Sequence, residues 1–205
     1  MNFDRQGYAV VDSVLSDQQC EALIAVLPSL ECAGSRALLS VEAFRNLVGM
    51  LRANEKLSRY LAGLVAVECI LFRKSSEHNW AVTLHRDTVL PVQGRGAWRI
   101  AGIKEGMECA KPPRAFMDQC VAVRLQLDGA PVEDISLVPG SHLDNHKYDR
   151  GEAVPIPVCK GGALVLRPTL AHASSKLQNS GHRRVLHYVF GPRALPNGYD
   201  WYAAV

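Results

Sequence analysis

No Cys-x-x-Cys pair occurs in this sequence, although it holds six cysteines: Cys20, Cys32, Cys69, Cys109, Cys120 and Cys159. Structural zinc centres draw their thiolates from closely spaced pairs, so this scatter argues against one and reads as reduced, mostly buried thiols. Nor does the N-terminus, MNFDRQGYAVVD, show a cationic segment leading into an apolar run, the mark of a secretory signal. A cytoplasmic protein is the expectation. Long hydrophobic runs are lacking too. The most apolar stretch, Leu61 to Phe72, is too short to cross a bilayer and contains Glu68, so no membrane partner is expected. Charge of one sign is not in excess: 23 Lys and Arg stand against 20 Asp and Glu, a net +3. Without a concentrated basic stripe, that balance gives no ground for a nucleic-acid partner. There is no internal repeat and no low-complexity tract.

What is present suits one domain over residues 1–205, with 48% of residues apolar and 21% charged. Ser16-Asp17-Gln18-Gln19 has the form of a helix capping box, followed by Leu23, Ile24 and Leu27 at helical spacing. Helical patterns continue over Val41 to Leu51 and Asn54 to Leu64, so the helical part spans about 16–64. From Val65 the texture changes to short β-branched runs: Val65–Phe72, Trp80–Leu84, Val121–Leu127, Ile135–Val138, Ala163–Leu166 and Val185–Phe190. Helices first and strands after predict a mainly β architecture with flanking helices, the barrel occupying about 65–192, and not a doubly wound sheet. Between Thr88 and Asp118 no periodicity is sustained. This stretch reads as a long loop, either a lid over a site or a solvated insertion.

The chemistry begins at Thr83-Leu84-His85-Arg86-Asp87. Residues two apart on a strand share a face, so His85 and Asp87 project together while Arg86 turns away. One imidazole beside one carboxylate forms two corners of a facial metal triad, or an ordinary hydrogen-bonded pair. A third corner is offered by His172, at a strand end or loop after the turn at Gly161-Gly162 and the strand Ala163–Leu166; a core histidine is the alternative. His142 and His146 are four apart but follow Pro139-Gly140 and read as loop residues, while His182 and His187 flank the arginines and His78 sits in a polar turn, none of them an expected ligand. Arg183, eleven residues after His172, opens the last long strand and places a fixed cation one loop away. A guanidinium there suits bidentate capture of a carboxylate, with Arg184, on the opposite face, as runner-up.

The order of these segments resembles the phytanoyl-CoA dioxygenase family. It is carried by His-x-Asp, then Leu137-Val138-Pro139-Gly140-Ser141-His142, then Gly161-Gly162-Ala163-Leu164, His172-Ala173-Ser174-Ser175 and Arg183-Arg184-Val185-Leu186-His187. Gly7-Tyr8 before the Ser16 helix fits the family's opening, and the likeness runs from about residue 5 to about 202. Leu71-Phe72-Arg73-Lys74 through Asn79-Trp80, and the closing Leu195-Pro196-Asn197-Gly198, are similar to a compact bacterial branch. The resemblance implies a double-stranded β-helix, a jelly-roll or cupin-like barrel. It implies a non-haem iron enzyme in which His85, Asp87 and His172 hold Fe(II). The co-substrate 2-oxoglutarate would be anchored by Arg183, with Ser174, Lys74 and the loop residue Trp98 beside it. O2 would be consumed, a small-molecule substrate hydroxylated, and succinate and CO2 released. The sequence departs from the family in having Arg86 where Gln is common, and Asp134-Ile135-Ser136 where Asn-Gly is usual. Asp87 favours hydroxylation or another oxidation over halogenation, since related halogenases replace that carboxylate with Gly or Ala.

Two other functions fit the same residues: a cupin-like metalloenzyme that does not use 2-oxoglutarate, and a non-catalytic binding module on the same scaffold. The segment from Arg86 to Arg114 leans basic once Asp87 is assigned to iron, which hints at an anionic substrate or marks a solvated loop.

Overall fold

A computed structural model of the chain describes residues 3–28, 34–129, 135–143, 148–178, 181–196 and 198–205. Cys32, Asp134, His146 and Asn197 lie outside the described residues. Helices are α1 (Phe3–Gln6), α2 (Asp17–Ala25), α3 (Glu42–Ala53), α4 (Glu55–Leu61) and α5 (Arg114–Met117). Strands are β1 (Tyr8–Val11), β2 (Gly34–Ser35), β3 (Leu64–Lys74), β4 (Val82–His85), β5 (Leu90–Gly94), β6 (Arg99–Lys104), β7 (Met107–Lys111), β8 (Val121–Gln126), β9 (Ile135–Leu137), β10 (Val154–Ile156), β11 (Ala163–Leu166), β12 (His172–Ser174), β13 (Arg183–Pro192) and β14 (Tyr199–Trp201).

The strands form a six-stranded sheet in the order β1-β11-β8-β13-β3-β2 and a four-stranded sheet, β10-β9-β12-β4. Residues of both line one cavity between them. This is the expected double-stranded β-helix with flanking helices. A third sheet, β14-β5-β7-β6, corrects the reading of residues 88–118 as a loop. It escaped notice because β6 is exposed along its whole length and shows no alternation, while β5 and β7 carry Pro91 and Cys109 at their pairing position. The barrel also begins earlier than expected, because β1 pairs with β11 and β2 with β3.

Alternation along β3 and β13 builds the two faces of the large sheet. Cys69 and Leu71, with Leu186, Tyr188 and Phe190, point outward to Phe44, Leu47, Val48, Leu51, Leu57 and Leu61 of α3 and α4. The Tyr188 hydroxyl donates to the Phe44 carbonyl at 2.9 Å, tying the helical layer to the sheet. On the inner face stand Glu68, Ile70, Phe72 and Lys74 opposite Val189, His187, Val185 and Arg183. Ser16 and Gln19 form the reciprocal capping box read from the sequence. The described cysteines are free thiols, all buried except Cys159. No helix among the described residues is long and apolar enough to cross a membrane.

Candidate active site

His85 ends β4, and Asp87 follows just past it, held there by its N–H donating to the Pro168 carbonyl at 2.9 Å. His172 opens β12 and pairs in register with His85. The pairing is irregular: His172 faces His85 but Ser174 faces Val82, so β4 carries one extra residue. A bulge of this kind shifts the alternation by one, and both Val82 and His85 consequently face the cavity.

Side-chain donor atoms of His85, Asp87 and His172 lie within 4.8 Å of one another and could hold a metal ion. His85 Nε2 is 3.6 Å from one Asp87 oxygen, and His172 Nε2 is 3.6 Å from the other. Each imidazole is oriented from behind, as metal-bound histidines usually are. His85 Nδ1 lies 2.8 Å from the Thr83 carbonyl and His172 Nδ1 lies 2.9 Å from the Leu170 carbonyl. A carbonyl can only accept, so both Nδ1 atoms carry a proton, which turns both Nε2 atoms toward Asp87; the neutral rings would present their Nε2 lone pairs to a metal ion. Two neutral imidazoles and one carboxylate are the donor set that non-haem Fe(II) takes.

Electrostatics fit that reading. Burial alone would raise the Asp87 carboxyl, but the His85 hydrogen bond and the neighbouring His172 and His187 hold it below the usual carboxylate range, and the same bond raises His85, so metal binding would displace a proton shared between these two groups. Burial lowers His172 despite Asp87, and it pushes His187, whose Nε2 is 3.9 Å from Asp87, down to about 4. His187 thus forms the cavity wall beside the cluster, a place that its position next to the arginines did not reveal.

The Pro139–His142 turn supports His172 from outside. The Ala171 N–H donates to Ser141 Oγ at 2.8 Å, and the Val138 N–H donates to the Ala171 carbonyl at 2.9 Å. Beneath it, His142 Nε2 bonds the Asp4 carbonyl, so this histidine is structural. Gly7 is required here: its φ is +81°, and a Cβ would sit 2.4 Å from His142 Nδ1. Arg86 turns away from the cluster as expected. Its Nη2 donates to the Ser141 carbonyl at 2.6 Å and its guanidinium lies over the Tyr148 ring.

At one end of the cavity stand Lys74 and Arg183, paired in register and each 3% exposed. Lys74 Nζ donates to Ser174 Oγ and to the Ser175 carbonyl, both at 2.6 Å; Arg183 Nη2 donates to the same two atoms at 3.3 and 3.0 Å. Two cations sharing neutral acceptors concentrate positive charge in an enclosed wall, which suits a carboxylate. Asn79 and Leu177 brace the Ser174–Ser175 segment through reciprocal hydrogen bonds of 2.8 and 2.7 Å. The structure brings together His85, Asp87, His172, Ser174, Lys74 and Arg183. It places Trp98 elsewhere, stacked on Tyr199 and against Phe116 and outside the residues lining the cavity. The tryptophan in the wall is Trp80, 5.1 Å from Lys74 Nζ. Its spacing of two from Val82 was the signal that could have found it.

Arg184 is bound by Asp128 through its backbone N–H, Nε and Nη2, on the face away from the cavity. Arg184→Met is expected to cost about 1–2 kcal/mol of stability while leaving 2-oxoglutarate affinity at the wild-type value. A urea midpoint and an anaerobic titration check the two halves.

A barrel whose interior gathers two imidazoles, a carboxylate and a buried pair of cations has the site of a non-haem iron oxygenase. The phytanoyl-CoA dioxygenase (PhyH) family model matches residues 3–185, and the chain belongs to that family of Fe(II)- and 2-oxoglutarate-dependent dioxygenases. Solved structures with the same fold include the non-haem alpha ketoglutarate dependent epimerase SnoN from nogalamycin biosynthesis, at 19% identity and a TM-score of 0.66 over 93% of this chain and 78% of that one. Another is HygX from Streptomyces hygroscopicus with nickel and 2-oxoglutarate bound, at 18% identity and 0.63 over 93% and 84%. AviO1 from Streptomyces viridochromogenes Tue57 shares 20% identity and 0.62 over 96% and 94%. No curated protein matches the sequence.

Proposed function

We propose that this chain oxidises a small organic molecule, most simply by hydroxylation. In this reading Fe(II) is held by His85, Asp87 and His172, and 2-oxoglutarate is anchored by Arg183 with help from Lys74 and Ser174. The observation that carries it is one cavity of about 210 Å³ that holds the three converging donors in its wall and the Lys74–Arg183 pair at one end. When bound, iron with 2-oxoglutarate and O2 supplies the oxidising power, releasing succinate and CO2.

The protein's own part is placement. The buried Arg183 guanidinium supplies a fixed positive charge for the distal carboxylate of 2-oxoglutarate, and Lys74 adds a second. The Ser174 hydroxyl accepts from both cations and holds them together at the carboxylate end of the cavity. Ile70, Phe72, Val82, Val89, Leu90 and Val185 keep the reacting volume apolar and exclude water. Complexes of SnoN with nogalamycin RO and of HygX with hygromycin B support a small-molecule substrate here. The buried free thiols fit a reducing, cytoplasmic setting.

Anaerobic equilibrium dialysis tests this reading. The expected result is one Fe(II) per chain and one 2-oxoglutarate per chain only when a divalent metal is present. Iron retained without any 2-oxoglutarate would overturn it in favour of a cupin-like enzyme.

A further inference from the structure

The end of the cavity opposite Lys74 and Arg183 carries charges that the oxygenase reading leaves unused. Along the inner face of β3, Glu68 stands six residues from Lys74, roughly 20 Å at the rise of a strand. Its carboxylate, 5% exposed, accepts from Arg36 Nη1 at 2.9 Å. Arg36 follows β2, which is laid beside β3 by the pairing of Ser35 with Leu71. Lys104, the exposed last residue of β6, also lines the cavity, near enough to Glu68 for its charge to act on that carboxylate.

The two cations are held near one another by a further contact. Glu105, at the tip of the β6–β7 hairpin, accepts from the Arg36 N–H at 2.7 Å and from the Ser35 hydroxyl at 3.0 Å. Burying an ion pair gains little stability, since apolar residues of the same volume usually do as well or better. A pair whose carboxylate is buried in the cavity wall while its guanidinium stays 26% exposed therefore points to a ligand more than to the fold. Of the charged groups lining this end, Arg36 and Lys104 are cations and Glu68 is a carboxylate, while the Glu105 carboxylate is engaged by the Arg36 N–H and the Ser35 hydroxyl outside the lining. Arg124 adds a further cation to the cavity wall, toward His172 and His187. The local excess of positive charge suits a carboxylate on the ligand.

We propose that Arg36 and Lys104 form the head-group subsite for the substrate, and that the substrate is a monocarboxylic acid whose apolar body lies against Leu90, Met117 and Val189. Glu68 is a positioning residue that fixes the Arg36 guanidinium. The inference rests on the oxygenase reading and names the substrate class for that site. The hairpin tip, fastened by Glu105, sets how far Lys104 reaches over the cavity.

The test uses the anaerobic holoprotein with Fe(II) and 2-oxoglutarate, and matched probes: benzoate, 4-phenylbutyrate and decanoate, each beside its primary amide and its amine. Dissociation constants are read by equilibrium dialysis. At least one acid is expected to bind about tenfold or more tightly than its amide and amine. Lys104→Met is expected to remove that preference, Lys104→Glu to turn it toward the amine, and Arg36→Met to act as Lys104→Met does, with melting curves confirming folded protein. Equal binding of acid and amide, a preference for the amine, no binding by any acid, or an unchanged preference in folded Lys104→Met would each overturn the proposal. Failure of the oxygenase reading looks different, because 2-oxoglutarate would then not bind at all.

Discussion

With His172→Ala the folded protein is expected to lose Fe(II) at concentrations that saturate the wild type, a fall of at least ~100-fold in affinity. Removal of groups that merely support a metal ligand costs ~10–100-fold, and His172 is placed to be a ligand itself. Its Nε2 faces Asp87 at 3.6 Å and its Nδ1 is committed to the Leu170 carbonyl, so no rotation of a neighbour supplies the missing donor. His187 is the nearest other imidazole, with Nε2 3.9 Å from Asp87. It sits on β13 and not on the strand pair that carries the cluster, and it is expected not to substitute. The fold should survive, because the Pro139–His142 turn holds Ala171 by its backbone groups and needs no imidazole at 172. Circular dichroism beside an anaerobic metal titration separates loss of iron from loss of structure. Full iron binding by His172→Ala would remove this residue from the centre.

The second large effect is at Arg183. Arg183→Ala is expected to weaken 2-oxoglutarate about 100-fold or more while Fe(II) affinity stays near wild type. Breaking a buried, hydrogen-bonded charge pair costs roughly 2–5 kcal/mol, and each 1.4 kcal/mol is about tenfold. The residual binding should depend on Lys74, which shares the Ser174 and Ser175 acceptors. Arg183→Lys keeps the charge but loses the fork, and is expected to fall between the two. Anaerobic titration with 2-oxoglutarate reads all three proteins. Unchanged affinity in Arg183→Ala would move the anchor to Lys74 alone.

Much of this centre could be read from the sequence, and the reasons are local. His85 and Asp87 are two apart, the Ser16 box announces its helix, and Ala163–Leu166 is a strand with both ends marked by the residues around it. His172 became readable through the order of motifs and not through its own surroundings. What stayed hidden depends on pairings distant in the chain. Glu68 and Arg36 meet because β2 lies on β3, and the Glu105 carboxylate fastens the hairpin that carries Lys104 to residues 35–36. Trp98 and Trp80 illustrate the same limit. Both follow or precede the metal segment closely, but the third sheet carries Trp98 away to Tyr199, while the inner face of the barrel keeps Trp80 beside Lys74. The bulge opposite His172 leaves no trace in the residues of β4, although it is what turns His85 inward.

The most direct test of the central claim is the visible spectrum of the anaerobic protein after addition of Fe(II) and then 2-oxoglutarate. Chelation of the iron by the co-substrate gives a weak metal-to-ligand charge-transfer band. That band is expected in the wild type, is expected to be absent in His172→Ala, and should require far more 2-oxoglutarate in Arg183→Ala. A folded, iron-loaded wild-type protein that never develops the band would contradict it.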